Sequence, residues 1–341
     1  MTAATRRGLV LGGGGVLGAA WMVGALSALE EHTGVDARHY DAYVGTSAGS
    51  ILVALLGAGV PVADLVAHQL GRQLGDGPLA GYHFDYETAA AGGNRPGAAR
   101  VGLGSRELLM RNARTLRQLP PTAVLAALMP EGRGVLSSVG ALVSHVVPSG
   151  WAPRDGVSVV ALDYDAGARV AFGRPGAPGA DLAEAVMASC AIPGWYQPVR
   201  IGGARYIDGG AWSSTNLDLL AGDGLDEVHV LAPQVSFDVD APVDWAIRLE
   251  RQWRSRVTRR ALRELAVVHR AGAEVTMLGP GREDLDAMGG NLMDVSRRPL
   301  VVRTALRTSL AALSDPAMLP GPPGAPAVDQ PLLDEAAQDA G

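Results

Sequence analysis

Residues 44–50 read Val-Gly-Thr-Ser-Ala-Gly-Ser, and the segments flanking them limit the fold more than anything else in the chain. Tyr43 and Val44 close a short apolar run of strand character, while residues 51–56, Ile-Leu-Val-Ala-Leu-Leu, read as a buried helix. A strand that passes into a helix through a single Gly-x-Ser-x-Gly must turn sharply. Gly45 and Gly49 put no side chain in the way, so Ser47 can be held strained, with its hydroxyl beside the first free N–H groups of the helix. That is the geometry of a nucleophile. The bland alternative is a glycine-rich turn with a helix-capping serine, and the rest of the chain has to decide.

A second strand, loop and helix precede it. Residues 8–11 are apolar, residues 12–18 read Gly-Gly-Gly-Gly-Val-Leu-Gly, and a helical pattern follows through Trp21, Val23, Leu26 and Leu29 to about Glu31. Bare glycine amides at a helix start form an anion site. Gly13, Gly15 and Gly18 fit the dinucleotide pattern G-x-G-x-x-G, whereas an acyl hydrolase would use the N–H groups of Gly13, Gly14 and Gly15 as an oxyanion hole. A dinucleotide site places an acidic residue at the end of the second strand to hold the ribose. Here Asp41 lies before that strand and Ser47 stands at its end, which favours the hydrolase.

Downstream, the patterns predict helices over residues 61–74, 106–119, 122–129, 138–146, 182–190, 243–271 and 299–313. They predict strands over 157–162, 169–172, 227–231 and 274–278, and a pair of short strands within 198–207. That pair delivers Asp208 at its end, followed by Gly209 and Gly210, which leave the acid little covered; an ordinary turn aspartate is the alternative. Residues 75–135 read as an insertion. Its glycine-rich part, 75–104, holds Tyr82, His83, Phe84 and Tyr86 and suits either a flap over the site or a surface excursion. On the helix at 243–271, Arg248, Arg256, Arg259, Arg263 and Arg270 share one face, opposite Val257, Ala261, Leu265 and Val268. Such a helix can rest on anionic headgroups or simply present a solvated face. The expected domain is 1–315, and the Pro-, Ala- and acid-rich stretch 316–341 is expected to be disordered.

Composition excludes some classes of function. A net charge of -6 gives no general attraction to nucleic acid, and one cysteine, Cys190, rules out an internal disulfide and a Cys-rich metal site. No apolar run reaches the roughly 18 residues of a membrane span, and none at the N-terminus resembles a signal peptide. A cytoplasmic protein is expected, with any membrane contact peripheral.

Taken together, residues 12–18, the block Gly45-Thr46-Ser47-Ala48-Gly49 and the block Asp208-Gly209-Gly210 resemble the three signature blocks of the patatin-like phospholipases. Residues 188–193, Ala-Ser-Cys-Ala-Ile-Pro, are similar to the segment preceding the family's aspartate. The resemblance spans roughly residues 6–235, in the family's order. It implies an α/β/α sandwich with a central, mostly parallel sheet and hydrolysis of acyl esters of lipids. It also implies a Ser–Asp dyad, with Ser47 as nucleophile and Asp208 as base, no catalytic histidine and no metal or other cofactor. One departure stands out: Leu17 occupies the place where the family carries Arg or Lys. The missing charge weakens the case for a phosphorylated headgroup and raises a second possibility, a catalytically weak or inactive fold that binds lipid or a partner. A Ser–His–acid triad through His229 or His269 is a further alternative.

Overall fold

The computed structural model describes residues 4–84, 102–237, 245–315 and 319, and over 245–251 only the helical backbone. In chain order β1 (Arg7–Leu11) leads through the glycine loop to α1 (Gly15–Thr33), and β2 (Ala42–Thr46) leads through Ser47 to α2 (Ala48–Gly57) and α3 (Val62–Gln69). Then come α4 (Arg106–Arg111), α5 (Pro121–Leu128), α6 (Ser137–Val146), β3 (Val157–Asp163), β4 (Ala168–Phe172) and α7 (Leu182–Ser189). The hairpin β5 (Val199–Ile201) and β6 (Ala204–Asp208) follows, then β7 (Glu227–Leu231), α8 (Trp245–Arg270), β8 (Glu274–Leu278), α9 (Arg282–Met288) and α10 (Arg298–Ser314).

One eight-stranded sheet runs β5-β6-β3-β2-β1-β7-β8, with β4 on β3. The five strands β3, β2, β1, β7 and β8 are mutually parallel, and β4, β5 and β6 pair antiparallel. Side chains alternate across a strand, so each strand supplies two cores. Leu9, Leu11, Tyr43, Val159 and Leu231 face the layer of α1, α2, α7 and α10; Val10, Val44, Val160, Val230 and Met277 face α8. The chain is therefore an α/β/α sandwich, as the sequence blocks implied. The α1–α10 contact is close enough that a methyl on Gly24 would lie 2.8 Å from Ala305 Cβ.

Two predicted helices are shorter than the sequence pattern suggests. The one begun near 61 stops at Gln69. The one over 106–119 ends at Arg111, because the Asn112 side chain donates to Leu108 O at 3.0 Å and Ala166 O at 3.1 Å; a short 3-10 turn, Leu116–Gln118, resumes further on. Tyr86 and most of the stretch 316–341 lie outside the described residues.

What positions the site is the sharing of one edge of β3. A strand has only two edges, and β4 occupies one of them along 159–163. On the other, β2 runs parallel, its Thr46 opposite Val160, and β6 runs antiparallel, its Asp208 opposite the next residue, Ala161. Two strands arriving from opposite directions thus end tip to tip. Thr46 and Asp208 are the tips, and Ser47 follows the first.

Candidate active site

Ser47 has φ 52° and ψ −121°, one of two non-glycine residues with positive φ among those described. Such a conformation costs of order 1–3 kcal/mol and persists only where the surroundings impose it. The glycines on either side do so. A methyl on Gly49 would run into Leu11 O, and one on Gly45 would meet Ser50 Cα at 2.6 Å and the side chain of Val53. Polar contacts complete the clamp: the Ser47 N–H donates to Ser189 Oγ at 2.8 Å, Ser189 Oγ to Val160 O at 2.6 Å, and Ser50 Oγ to Ser47 O at 2.6 Å. Behind the elbow, Asn216 donates to Thr46 Oγ1 at 3.0 Å.

Asp208 is 6% exposed. Its N–H donates to Ala191 O at 3.0 Å, and its Oδ1 accepts from the Gly210 N–H at 2.7 Å. Burial pushes its carboxyl up to about 6, and hydrogen bonds from the Ser47 hydroxyl and the Gly210 N–H pull it partly back. Gly209 is required by crowding, since a Cβ there would meet Val160 O and would lie 3.3 Å from Thr46 Cγ2. Ser47, Asp208, Gly210, Gly13, Gly14 and Gly15 line one cavity of about 860 Å³.

The glycine loop lies beside Ser47, and the expected donor role of Gly13 needs one correction. A methyl on Gly13 would stand 3.5 Å from Ser47 Cβ, but the Gly13 N–H donates to Ser214 O at 2.9 Å. An amide has one proton, so Gly13 shapes the loop and does not serve as an anion donor here. Gly14 and Gly15 open α1, where N–H groups lack partners within the helix, and the hydrogen bonds among the described residues use neither. Gly15 has φ +63°, and Gly18 packs at 3.2 Å (Cβ position) from Pro233 while donating normally to Gly14 O. Leu17, in the place of the expected cation, is wholly buried in the core.

The histidines weighed from sequence lie apart from this site. His229 is buried mid-strand with Nδ1 2.9 Å from Tyr40 Oη, and burial pushes its imidazole down to about 4. His269 is exposed at the end of α8. A histidine not singled out, His68, lines a second cavity that also touches Ser47; burial, with Arg298 and His83 nearby, lowers it to about 4. Sequence reading likewise missed Ser189 and Asn216. Ser189 sits in the 188–193 segment, the one signal that pointed towards it.

The arginine-rich helix is a surface helix. Ala261, Leu265 and Val268 are core residues against the sheet, and Arg256 and Arg270 are exposed. Among the described residues no helix is long and apolar enough to cross a membrane.

A sheet that sets a strained serine, a buried carboxylate and free loop amides around one cavity has the anatomy of an acyl-transfer fold. The family model for patatin-like phospholipases matches residues 9–221, well over half of the chain, and the protein belongs to that family, whose members are in general lipid acyl hydrolases. No curated protein matches the chain. Twelve solved chains do, among them VipD from Legionella pneumophila, 14% identical over 92% of this chain and 67% of that one with a TM-score of 0.40, a likeness too loose to carry an argument.

Proposed function

We propose that the protein is a serine hydrolase of carboxylic esters in lipids, working through an acyl-enzyme on Ser47 with Asp208 as its base. The observation that carries this reading is the head-on meeting of β2 and β6 on β3, which sets a buried carboxylate beside a strained serine. As Ser47 Oγ attacks the carbonyl carbon, Asp208 takes its proton. The Gly14 and Gly15 N–H groups receive the developing oxyanion, each such donor being worth roughly 3–4 kcal/mol of barrier. Collapse expels the alcohol, protonated by Asp208, and a water activated by the same carboxylate releases the acid. A carboxylate titrating near neutrality suits both directions of proton transfer.

The favoured substrates are uncharged esters. With Leu17 buried, no Arg or His is among the described residues lining the Asp208 cavity, and the carboxylate there repels a phosphate. The catalytic domain is taken as 1–315, with the 75–135 insertion contributing α5 to the cavity wall. Localisation is taken as cytoplasmic. Since the apolar face of α8 is spent on the core, peripheral contact with an anionic surface would go through its outward arginines, such as Arg256 and Arg270.

The test is mass spectrometry of the products released from a mixed lipid extract, with Ser47→Ala as control. Fatty acid released from neutral esters by the wild type alone is the expected result. Equal release by both proteins, or none by either, removes the reading.

A further inference from the structure

Ser47 stands at the junction of two cavities, and they differ in kind. The Asp208 cavity is the more open of the two, and Leu125 and Trp253 of its lining are exposed. The other is more enclosed and runs along one face of α2, past Ile51, Leu52 and Leu55, against Val139 and Leu142 of α6. Among the described residues, only Ser47, Gly15 and Ile192 line both. No Asp, Glu or Arg is among the described residues lining the α2 cavity, and its His68 is uncharged at neutral pH.

We propose that the two cavities divide the ester between them: the acyl chain lies along α2 in the enclosed cavity, and the uncharged alcohol occupies the open cavity beside Asp208. This rests on the catalytic reading above. The carboxylate that takes the serine proton must return it to the departing alkoxide, so the alcohol oxygen belongs on the Asp208 side. The carbonyl oxygen is held by the Gly14 and Gly15 amides. The remaining substituent of the tetrahedral carbon, the chain, then points into the α2 cavity, where no described lining residue is an acid. From Ser47 to Leu55 is about 12 Å along the helix, which suits a straight chain of medium length. Ile51, one turn beyond Ser47 and half-buried, is the residue the first methylenes would meet.

Substitutions at Ile51 and Leu125 separate the two halves. The ratio of kcat/KM for para-nitrophenyl octanoate over the acetate should fall about tenfold or more in Ile51→Trp, and in Ile51→Ala the preference should move to longer chains. Leu125→Trp should leave that ratio within about twofold, yet change the ranking of methyl against hexyl octanoate. Calorimetric binding of methyl octanoate to Ser47→Ala, lost in Ser47→Ala/Ile51→Trp, reads the same division without turnover. Chain-length preference that follows Leu125, or that ignores both Ile51 variants while the acetate is hydrolysed, overturns the proposal. If Ser47→Ala hydrolyses the acetate as well as the wild type, it is the catalytic reading that fails, and the calorimetry still decides where the chain binds.

Discussion

The two strand ends that meet on β3 are built differently. The β2 end is held from within: Gly45 and Gly49 are packed against backbone, and the Ser47 N–H is used by Ser189. The β6 end is a short arm, paired to β3 over 161–163 and to β5 as a hairpin, and steadied from outside by Arg205, which bridges Asp165 and Glu131. The serine side stores strain in a rigid frame, whereas the aspartate side stores it as a desolvated charge. In the proposed mechanism, rigidity fixes where the attack begins and the charge supplies the driving force for moving the proton.

Four substitutions probe that contrast. Ser47→Ala and Asp208→Asn should each lower kcat/KM by about 10⁴-fold or more, and the double variant should be no worse than either, because residues acting as a unit are non-additive. Steady-state kinetics on para-nitrophenyl octanoate reads this; additive losses would mean the two ends work separately. Gly49→Ala should be the most damaging change to stability, at least about 4 kcal/mol, since its methyl would run into the Leu11 carbonyl and, at 2.8 Å, Gly12 O, both of them backbone. Soluble, cooperatively melting Gly49→Ala protein would show the frame to be softer than described.

On stability, Asp208→Asn acts with the opposite sign. A carboxyl raised from 3.8 to about 6 binds a proton more tightly in the folded state than in the unfolded one. Its ionisation therefore costs nothing below the unfolded value, costs progressively more stability as pH rises to about 6, and adds no further cost above that. Asp208→Asn should gain on the order of 2–3 kcal/mol at pH 8, visible as a higher Tm, and show little gain near pH 3.5. Equal Tm values at pH 8 would mean that the charge is well solvated. The smallest effect is expected of Ser189→Ala, which leaves the buried Ser47 N–H without its acceptor: about 1–3 kcal/mol of stability and roughly tenfold in kcat. A Ser189→Ala enzyme with unchanged kcat would remove Ser189 from the positioning of the nucleophile.

The same contrast explains what could be read from the sequence. The elbow is local: Gly45, Ser47 and Gly49 carry its geometry within five residues, and the glycine loop is equally compact. Asp208 taken alone reads as a turn residue, and only the family pattern joins it to Ser47. The physical reason they meet, two strands sharing one edge of β3, depends on register between segments far apart in sequence. Hydrogen-bond partners were harder still. Nothing in residues 12–18 says that Ser214 O will occupy the Gly13 N–H, because that acceptor arrives from another loop. On α8, Ala261, Leu265 and Val268 face the core while Arg256 and Arg270 are exposed, but periodicity cannot tell whether an apolar face meets a sheet or a lipid surface.

The central claim, that the Asp208 carboxylate activates Ser47, is tested most directly by the pH dependence of the rate at which a fluorophosphonate labels Ser47. In the wild type the rate should rise as pH passes through about 6 and then level off, and in Asp208→Asn it should be slow and lack that step. A wild-type profile without a transition near pH 6, or labelling of Asp208→Asn at the wild-type rate, would contradict it.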